Sequence, residues 1–240
     1  MLTMKKIHVE SDFWELFPDA HINVVIVKHI DNHSIEKDED YFINLLKNGK
    51  KEARKFLAEE IFSHNPVVDE WRKAFSQFKT KKGARSSIEA LLKRVNQDRE
   101  FFPINPLVDI YNSISLTYGL PCGGEDLRTI QGDLHLGKAQ GGESFRPLGA
   151  EEDSPALPEE IIYYDNEGAI CRCLNWREAQ RTMLTEDTTA AILVIESINQ
   201  VQAQQADEAI RALKNLVDSY FKIESSILTL TRTTPSALID

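Results

Sequence analysis

The polar residues best placed for chemistry in this chain fall in a few short segments, three of which carry glycine. Asn112 is followed by Gly123-Gly124-Glu125-Asp126, then by Gly141-Gly142-Glu143, Gly149-Ala150-Glu151 and Asn175-Trp176-Arg177. Glycine permits close backbone approach and positive φ, so a carboxylate next to it can meet a ligand that the main chain also touches. An acid in that setting can orient a polar substituent or an attacking water. The plainer explanation is tight turns carrying solvated acids. The segments are far apart in the chain yet all lie at glycine-marked element ends, which predicts that they converge on one concave pocket.

Other motifs carry less. Gly132 through Lys138 fits the first seven positions of a phosphate-binding loop, but Ala139 stands where Ser or Thr would hold magnesium, and the segment alternates like a strand. Cys171 and Cys173 are expected on one face of a strand; no second pair completes a zinc set, so buried free thiols are expected. The six histidines form no HxH group, and no Ser-His-Asp pattern stands out. No metal and no cofactor are expected.

Three cysteines leave one unpaired in any disulfide scheme, which indicates a reducing, cytoplasmic setting. The N-terminus has no secretory apolar stretch, and runs such as Val24–Val27 are far too short to span a bilayer. Apolar residues make up 42% and charged residues 28% of the 240, ordinary for a globular protein. The net charge of −10 works against a nucleic-acid partner unless cations are concentrated locally. Such a concentration exists at Lys79, Lys81, Lys82 and Arg85, with Arg72 and Lys73 nearby, although a solvated helix end is the commoner explanation of such a cluster.

The elements that must position these residues can be read from periodicity and caps. Asn105 and Pro106 open a helix that Gly119 and Pro121 close, with Leu107, Ile110, Tyr111, Ile114 and Tyr118 as its buried stripe. Before it, an amphipathic lead-in precedes a buried strand at 21–30, and helices are expected at 35–48, 50–63, 66–79 and 85–97. After it, short strands are expected at 134–139, 160–165, 169–174 and 188–196, then a helix over Gln200–Phe221. The pattern predicts an α+β fold. A helical N-terminal part (1–100, with one strand) packs on a mixed or antiparallel sheet formed by a core (101–222), and 223–240 is a loosely held tail.

The segment INPLVDIYNSISLTYGLPCGGEDL, with the later IQGDLHLGKAQGGESFRPLG, resembles the editing region of the β subunit of bacterial phenylalanyl-tRNA synthetase, its third and fourth B domains. That region carries a motif of the form N-x-V-D-x-x-N followed by a G-x-P turn. The resemblance runs from about Phe101 to Ser197 and is closer to free-standing versions of the module, whose helical lead-in residues 65–100 also resemble. It implies the editing-domain fold, tRNA as partner, and hydrolysis of the ester of a mischarged aminoacyl-tRNA. It also implies three site residues: Asn112 at the helix asparagine, Asp126 at the acid ending the family's turn, and Glu151 at a glutamate that recognises the tyrosine hydroxyl.

Two departures limit the transfer. The family's turn histidine aligns with Gly123, and an alanine- and glycine-rich run that makes room for the amino acid aligns with the bulky Cys171–Glu178. Tyrosine specificity therefore does not carry over, and no catalytic residue is assigned. The expected binding set is Asn112, Gly123, Gly124, Glu125, Asp126, Glu143, Glu151, Asn175, Trp176 and Arg177. For tRNA it is Lys79, Lys81, Lys82, Arg85 and Arg172, with Arg177 assisting. Two alternatives stand beside a trans-editing deacylase. One is a non-catalytic module that binds tRNA or an aminoacyl-tRNA synthetase; the other is a small-molecule or amino-acid-binding protein that has lost RNA contact.

Overall fold

The computed structural model describes residues 4–239. Chain order begins β1 (Lys6–Val9), α1 (Ser11–Leu16), β2 (His21–Lys28), α2 (Glu39–Ala53), α3 (Pro66–Phe75), α4 (Ser87–Asn96) and α5 (Pro106–Tyr118). Then come β3 (Cys122–Asp126), β4 (Leu134–Lys138), β5 (Ile161–Tyr164), β6 (Ala169–Arg172), β7 (Arg177–Glu178) and β8 (Ala190–Ser197). The chain finishes with α6 (Gln200–Phe221), β9 (Ser226–Leu230) and β10 (Ser236–Leu238). The fold is α+β, as the pattern predicts. No helix among the described residues is long and apolar enough to cross a membrane.

The strands form two sheets, β10-β1-β4-β5-β6-β7 and β3-β8-β2-β9. Register decides which residues face which layer, because directly paired residues project to the same side. Val24 pairs with Val194 and Ile26 with Ile192; Gly123 and Glu125 of β3 pair with the same Val194 and Ile192. That face packs on Ile7, Leu134, Leu136, Ile161 and Tyr163 of the larger sheet. The opposite face, carrying Val25, Val27, Leu193 and Ile195, packs on Ile110 and Ile114 of α5 and Ile210, Leu213 and Val217 of α6. The smaller sheet is thus a middle layer between helices and the larger sheet.

Helix α5 has the ends its sequence specifies. The Asn105 side chain accepts from Val108 N at 3.1 Å, and Gly119 closes the helix at φ 66. Asn32 donates to the same Asn105 oxygen at 3.0 Å, which ties the cap to the chain after β2. A break expected near residue 49 is absent, since α2 runs through it. A Cβ on Gly49 would lie 3.2 Å from Leu116 Cβ and 3.2 Å from the Ser113 carbonyl oxygen. That glycine lets α2 cross α5 closely, a packing role that outweighs its poor helix propensity.

Three other expectations need correction. The N-terminal part contributes two strands, one to each sheet, so it is woven into both layers. The helix expected at 50–63 is helical only to Ala53, as the end of α2; beyond it stand 3-10 turns at Arg54–Phe56 and Phe62–His64. The tail expected to be loose supplies β9 and β10, which pair with β2 and β1. Its alternating Ser and Thr residues suit half-exposed edge strands.

Candidate functional site

A cavity of about 470 Å³ opens where the two sheets diverge. From β8, Ile192, Val194 and Glu196 line it, three residues of one strand parity; from β3 come Gly123, Gly124 and Glu125. The larger sheet adds Leu134, Tyr163, Cys171 and Glu178, and α5 adds Tyr111 and Asn112. The β6–β7 hairpin carries Asn175, Trp176 and Arg177 to the mouth. Cys173 and Leu174, at φ 48 and 62, are consecutive left-handed residues, a costly backbone for non-glycine side chains. It is held because Leu174 N donates to Ile161 O at 2.6 Å and the Asn175 carbonyl accepts from Ser87 N at 3.1 Å. The strand therefore ends before Cys173, and the two thiols do not share a strand face as expected; both are buried and unpaired.

Three carboxyls mark the interior. Glu196 accepts from the Tyr163 hydroxyl at 3.0 Å and from Asn175 Nδ2 at 3.4 Å. Burial nevertheless raises its pKa to about 8, assisted by the nearby Glu178 charge. Burial lifts Glu178 to about 7 against the lowering effect of a hydrogen bond from Gly124 N–H. Glu125 is pushed well above the usual carboxylate range by burial and then by Glu178, and its Oε2 has no hydrogen-bond donor among the described residues. At neutral pH Glu196 holds its proton while Glu178 is poised between its two states.

The cations stand outside these acids. Arg94 lies over the Phe101 ring at 4.6 Å and donates to the Glu100 carbonyl at 2.9 Å. Arg177 lies over the Trp176 ring at 5.3 Å. A Cβ on Gly123 would come within 3.3 Å of Glu178 Oε1, so this glycine keeps the approach to that carboxylate open.

Residues 70–222, most of the layers around this cavity, match the B3/4 domain family. The chain belongs to that family. Among solved structures, an N-terminal fragment of the phenylalanyl-tRNA synthetase β subunit from Pyrococcus horikoshii aligns with a TM-score of 0.48 and 12% identity. The alignment covers 95% of this chain and 52% of that fragment, so the chain spans about half of its length. No curated protein matches.

Within the B3/4 domain, the cavity gathers part of the expected set. Asn112, Gly123, Gly124, Glu125, Asn175, Trp176 and Arg177 line it. Asp126, Glu143 and Glu151 do not. Asp126 accepts from Arg128 N at 2.9 Å, closing its own turn. Glu143 likewise accepts from Gln140 N and Gly141 N, at 2.6 and 3.0 Å. Glu151 is exposed in a bend, and Leu148 from the same loop reaches the cavity rim in its place. The segment Gly123–Asp126, expected as a turn, is strand β3.

The expected RNA surface also changes. Arg172 is 1% exposed, with Nε donating to Glu160 Oε2 at 2.8 Å, Nη2 paired to Glu160 Oε1, and Nη1 donating to the Ser154 carbonyl at 2.7 Å. Withdrawing it would strand a fully buried carboxylate, so it is unavailable to a phosphate. Lys79, Lys81 and Lys82 are exposed and Arg85 is half-buried; Lys81 Nζ donates to Ser154 Oγ at 2.6 Å. Arg85 lies two residues before Ser87, a lining residue of the cavity.

Glu178, Glu196, Tyr163, Tyr111 and Arg94 were absent from the expected set. Glu196 had a signal: it falls on the inward parity of Ile192 and Val194 in an otherwise apolar strand. Glu178 had none beyond its place in the bulky 171–178 segment.

Proposed function

We propose that this chain takes the aminoacylated 3′ end of a tRNA into the cavity and hydrolyses the ester, with Glu178 as general base. The observation that carries the proposal is the Glu178 carboxyl: tuned to about 7, at the open side of a cavity, beside a glycine that leaves it accessible. Ionised Glu178 takes a proton from a water whose oxygen attacks the carbonyl carbon. Asn112, half-buried on α5, donates a hydrogen bond to the oxyanion that forms. Collapse breaks the bond to the ribose oxygen, which takes the proton back from Glu178, leaving free amino acid and tRNA.

The test is hydrolysis of a panel of mischarged aminoacyl-tRNAs by the full chain. Hydrolysis of at least one, rising with pH through about 7 above the spontaneous rate, is expected. A wild-type chain inert on the whole panel overturns the reading.

The loop 79–85 is the proposed path for the RNA backbone, because it feeds directly into α4 at the cavity. Reversing the charge of Lys81, Lys82 and Arg85 together should weaken binding across tRNAs and reduce the salt slope by about one unit per lost phosphate contact. An unchanged slope would exclude this surface. The net charge of −10 favours a second reading, in which the same cavity binds a free amino acid or its derivative without RNA. No measurable tRNA affinity at low salt would favour it. A synthetase partner fits either reading as the source of the aminoacyl group.

A further inference from the structure

We infer that the α4 wall of the cavity is a nucleotide subsite, where Arg94 takes the phosphate that precedes the aminoacylated ribose. The inference rests on the deacylase reading only for the identity of that nucleotide, the 3′-terminal one of a tRNA.

Helix α4 turns one face to the cavity: Ser87, Ala90, Leu91 and Arg94, at i, i+3, i+4 and i+7. That wall carries no acid, whereas Glu125, Glu178 and Glu196 all come from strands. Once Glu178 ionises, the strand side repels an anion and the helix side is left to receive it.

Arg94 is exposed and has no carboxylate partner among the described residues. Arg72, Arg172 and Arg181, by contrast, are spent on Glu89, Glu160 and Asp165. Glu100 gives Arg94 its carbonyl, because its carboxylate is taken by Lys50 at 2.8 Å. That carbonyl bond and the Phe101 ring, 4.6 Å away, hold the guanidinium at the mouth before a ligand arrives. Little side-chain freedom is then lost on binding, and the remaining N–H groups form the fork that suits a phosphate.

Two helical turns earlier stands a second polar group without a partner. Ser87 Oγ is buried and makes no hydrogen bond among the described residues. The Ser86 hydroxyl already caps the helix, and Ser87 N–H goes to the Asn175 carbonyl, so the Ser87 hydroxyl serves neither the cap nor the hairpin. A buried polar atom with no partner in the chain calls for one from outside. Ser87 and Arg94 are seven residues apart, about 10 Å along the helix. The carboxylate of a free amino acid answers the arginine alone. A ribose with its phosphate answers both, a sugar hydroxyl at the serine and the anion at the guanidinium. Leu91 and Leu148, the latter 63% exposed at the rim, add apolar surface for the base.

Calorimetric titration of the full chain with adenosine 5′-monophosphate, adenosine and the trinucleotide CCA tests this without hydrolysis. The monophosphate should bind about ten- to a hundredfold tighter than adenosine, the range of hydrogen bonds to a charged group. Arg94→Gln, checked for folding by circular dichroism, should bring that ratio close to one and leave adenosine affinity unchanged. Ser87→Ala should weaken both ligands together by about three- to tenfold, the range of one neutral hydrogen bond. CCA, which carries the same phosphate within an RNA strand, should bind at least as tightly as the monophosphate. Equal wild-type affinity for monophosphate and adenosine overturns the inference, as does an Arg94→Gln chain that keeps the ratio, or no binding at millimolar concentrations. CCA binding more weakly than the monophosphate overturns tRNA as the source of the nucleotide. The two readings fail separately. Phosphate-dependent binding by a chain that hydrolyses no aminoacyl-tRNA removes the deacylase and keeps the subsite. Hydrolysis of aminoacyl-tRNA with no preference for the monophosphate does the reverse.

Discussion

Glu178→Gln is expected to slow hydrolysis of a susceptible aminoacyl-tRNA by about 10²–10⁴-fold, the usual contribution of a positioned general base. The amide keeps the side chain's volume and can still accept from Gly124 N–H, so the fold and the tRNA affinity should stay close to wild type. The loss belongs in kcat, because the proton transfer takes place only in the transition state. Wild-type rates should rise with pH and level off above about 7, whereas the variant's residual rate should follow only the spontaneous reaction. Single-turnover hydrolysis across pH measures both. A variant at full rate, with the same pH profile, would remove Glu178 from the chemistry and return attention to Glu196.

Stability should fall as pH rises from 5 to 9, and Glu196→Gln should remove much of that fall. An unfolded chain ionises this glutamate near 4.5, while the folded protein holds its proton up to about 8. Between those values the unfolded state binds fewer protons, so raising pH favours unfolding; above about 8 the loss is complete. At 1.36 kcal/mol per unit, the glutamate alone accounts for about 4–5 kcal/mol as an order of magnitude. Asp109, buried on α5 and raised to about 7 by desolvation, acts in the same direction. In the glutamine variant the amide oxygen still accepts from Tyr163 and no charge is buried. Urea unfolding of both proteins at pH 5 and pH 8.5 decides the matter: equal wild-type stability at the two values would show that the buried acid is not held protonated.

The layers were legible where local chemistry sets them. Asn105, Pro106 and Gly119 fix both ends of α5 by capping alone, and the apolar stripe of α6 gives its full span. Strand β3 was not legible, because its two glycines lower strand propensity and its partner β8 lies far along the chain. Gly124 nonetheless suits the packing there: a Cβ would sit 2.6 Å from Leu193 Cδ2, so that side chain would have to shift. Arg172 read as a surface cation since nothing near it in sequence reveals the long-range partner Glu160. Glu151 read as a site residue from its glycine neighbours, yet Glu143 and Asp153 in the same region show the plainer outcome. Asp153 accepts from Phe145 N at 2.6 Å and serves its own loop. Which acid faces a ligand was decided by how two distant sheets pack, which no local pattern encodes.

Strand β3 lies at the margin of its sheet, where outward N–H groups would ordinarily be a template for a strand from another molecule. Here they are already occupied. Gly124 N–H goes to the Glu178 carboxylate and Asp126 N donates to the Thr182 carbonyl at 2.8 Å, with Glu125 bridging to Met183. The segment from Glu178 to Met183 thus seals a border that would otherwise invite self-association. The closure of that sheet edge and the tuning of one acid depend on the same few hydrogen bonds.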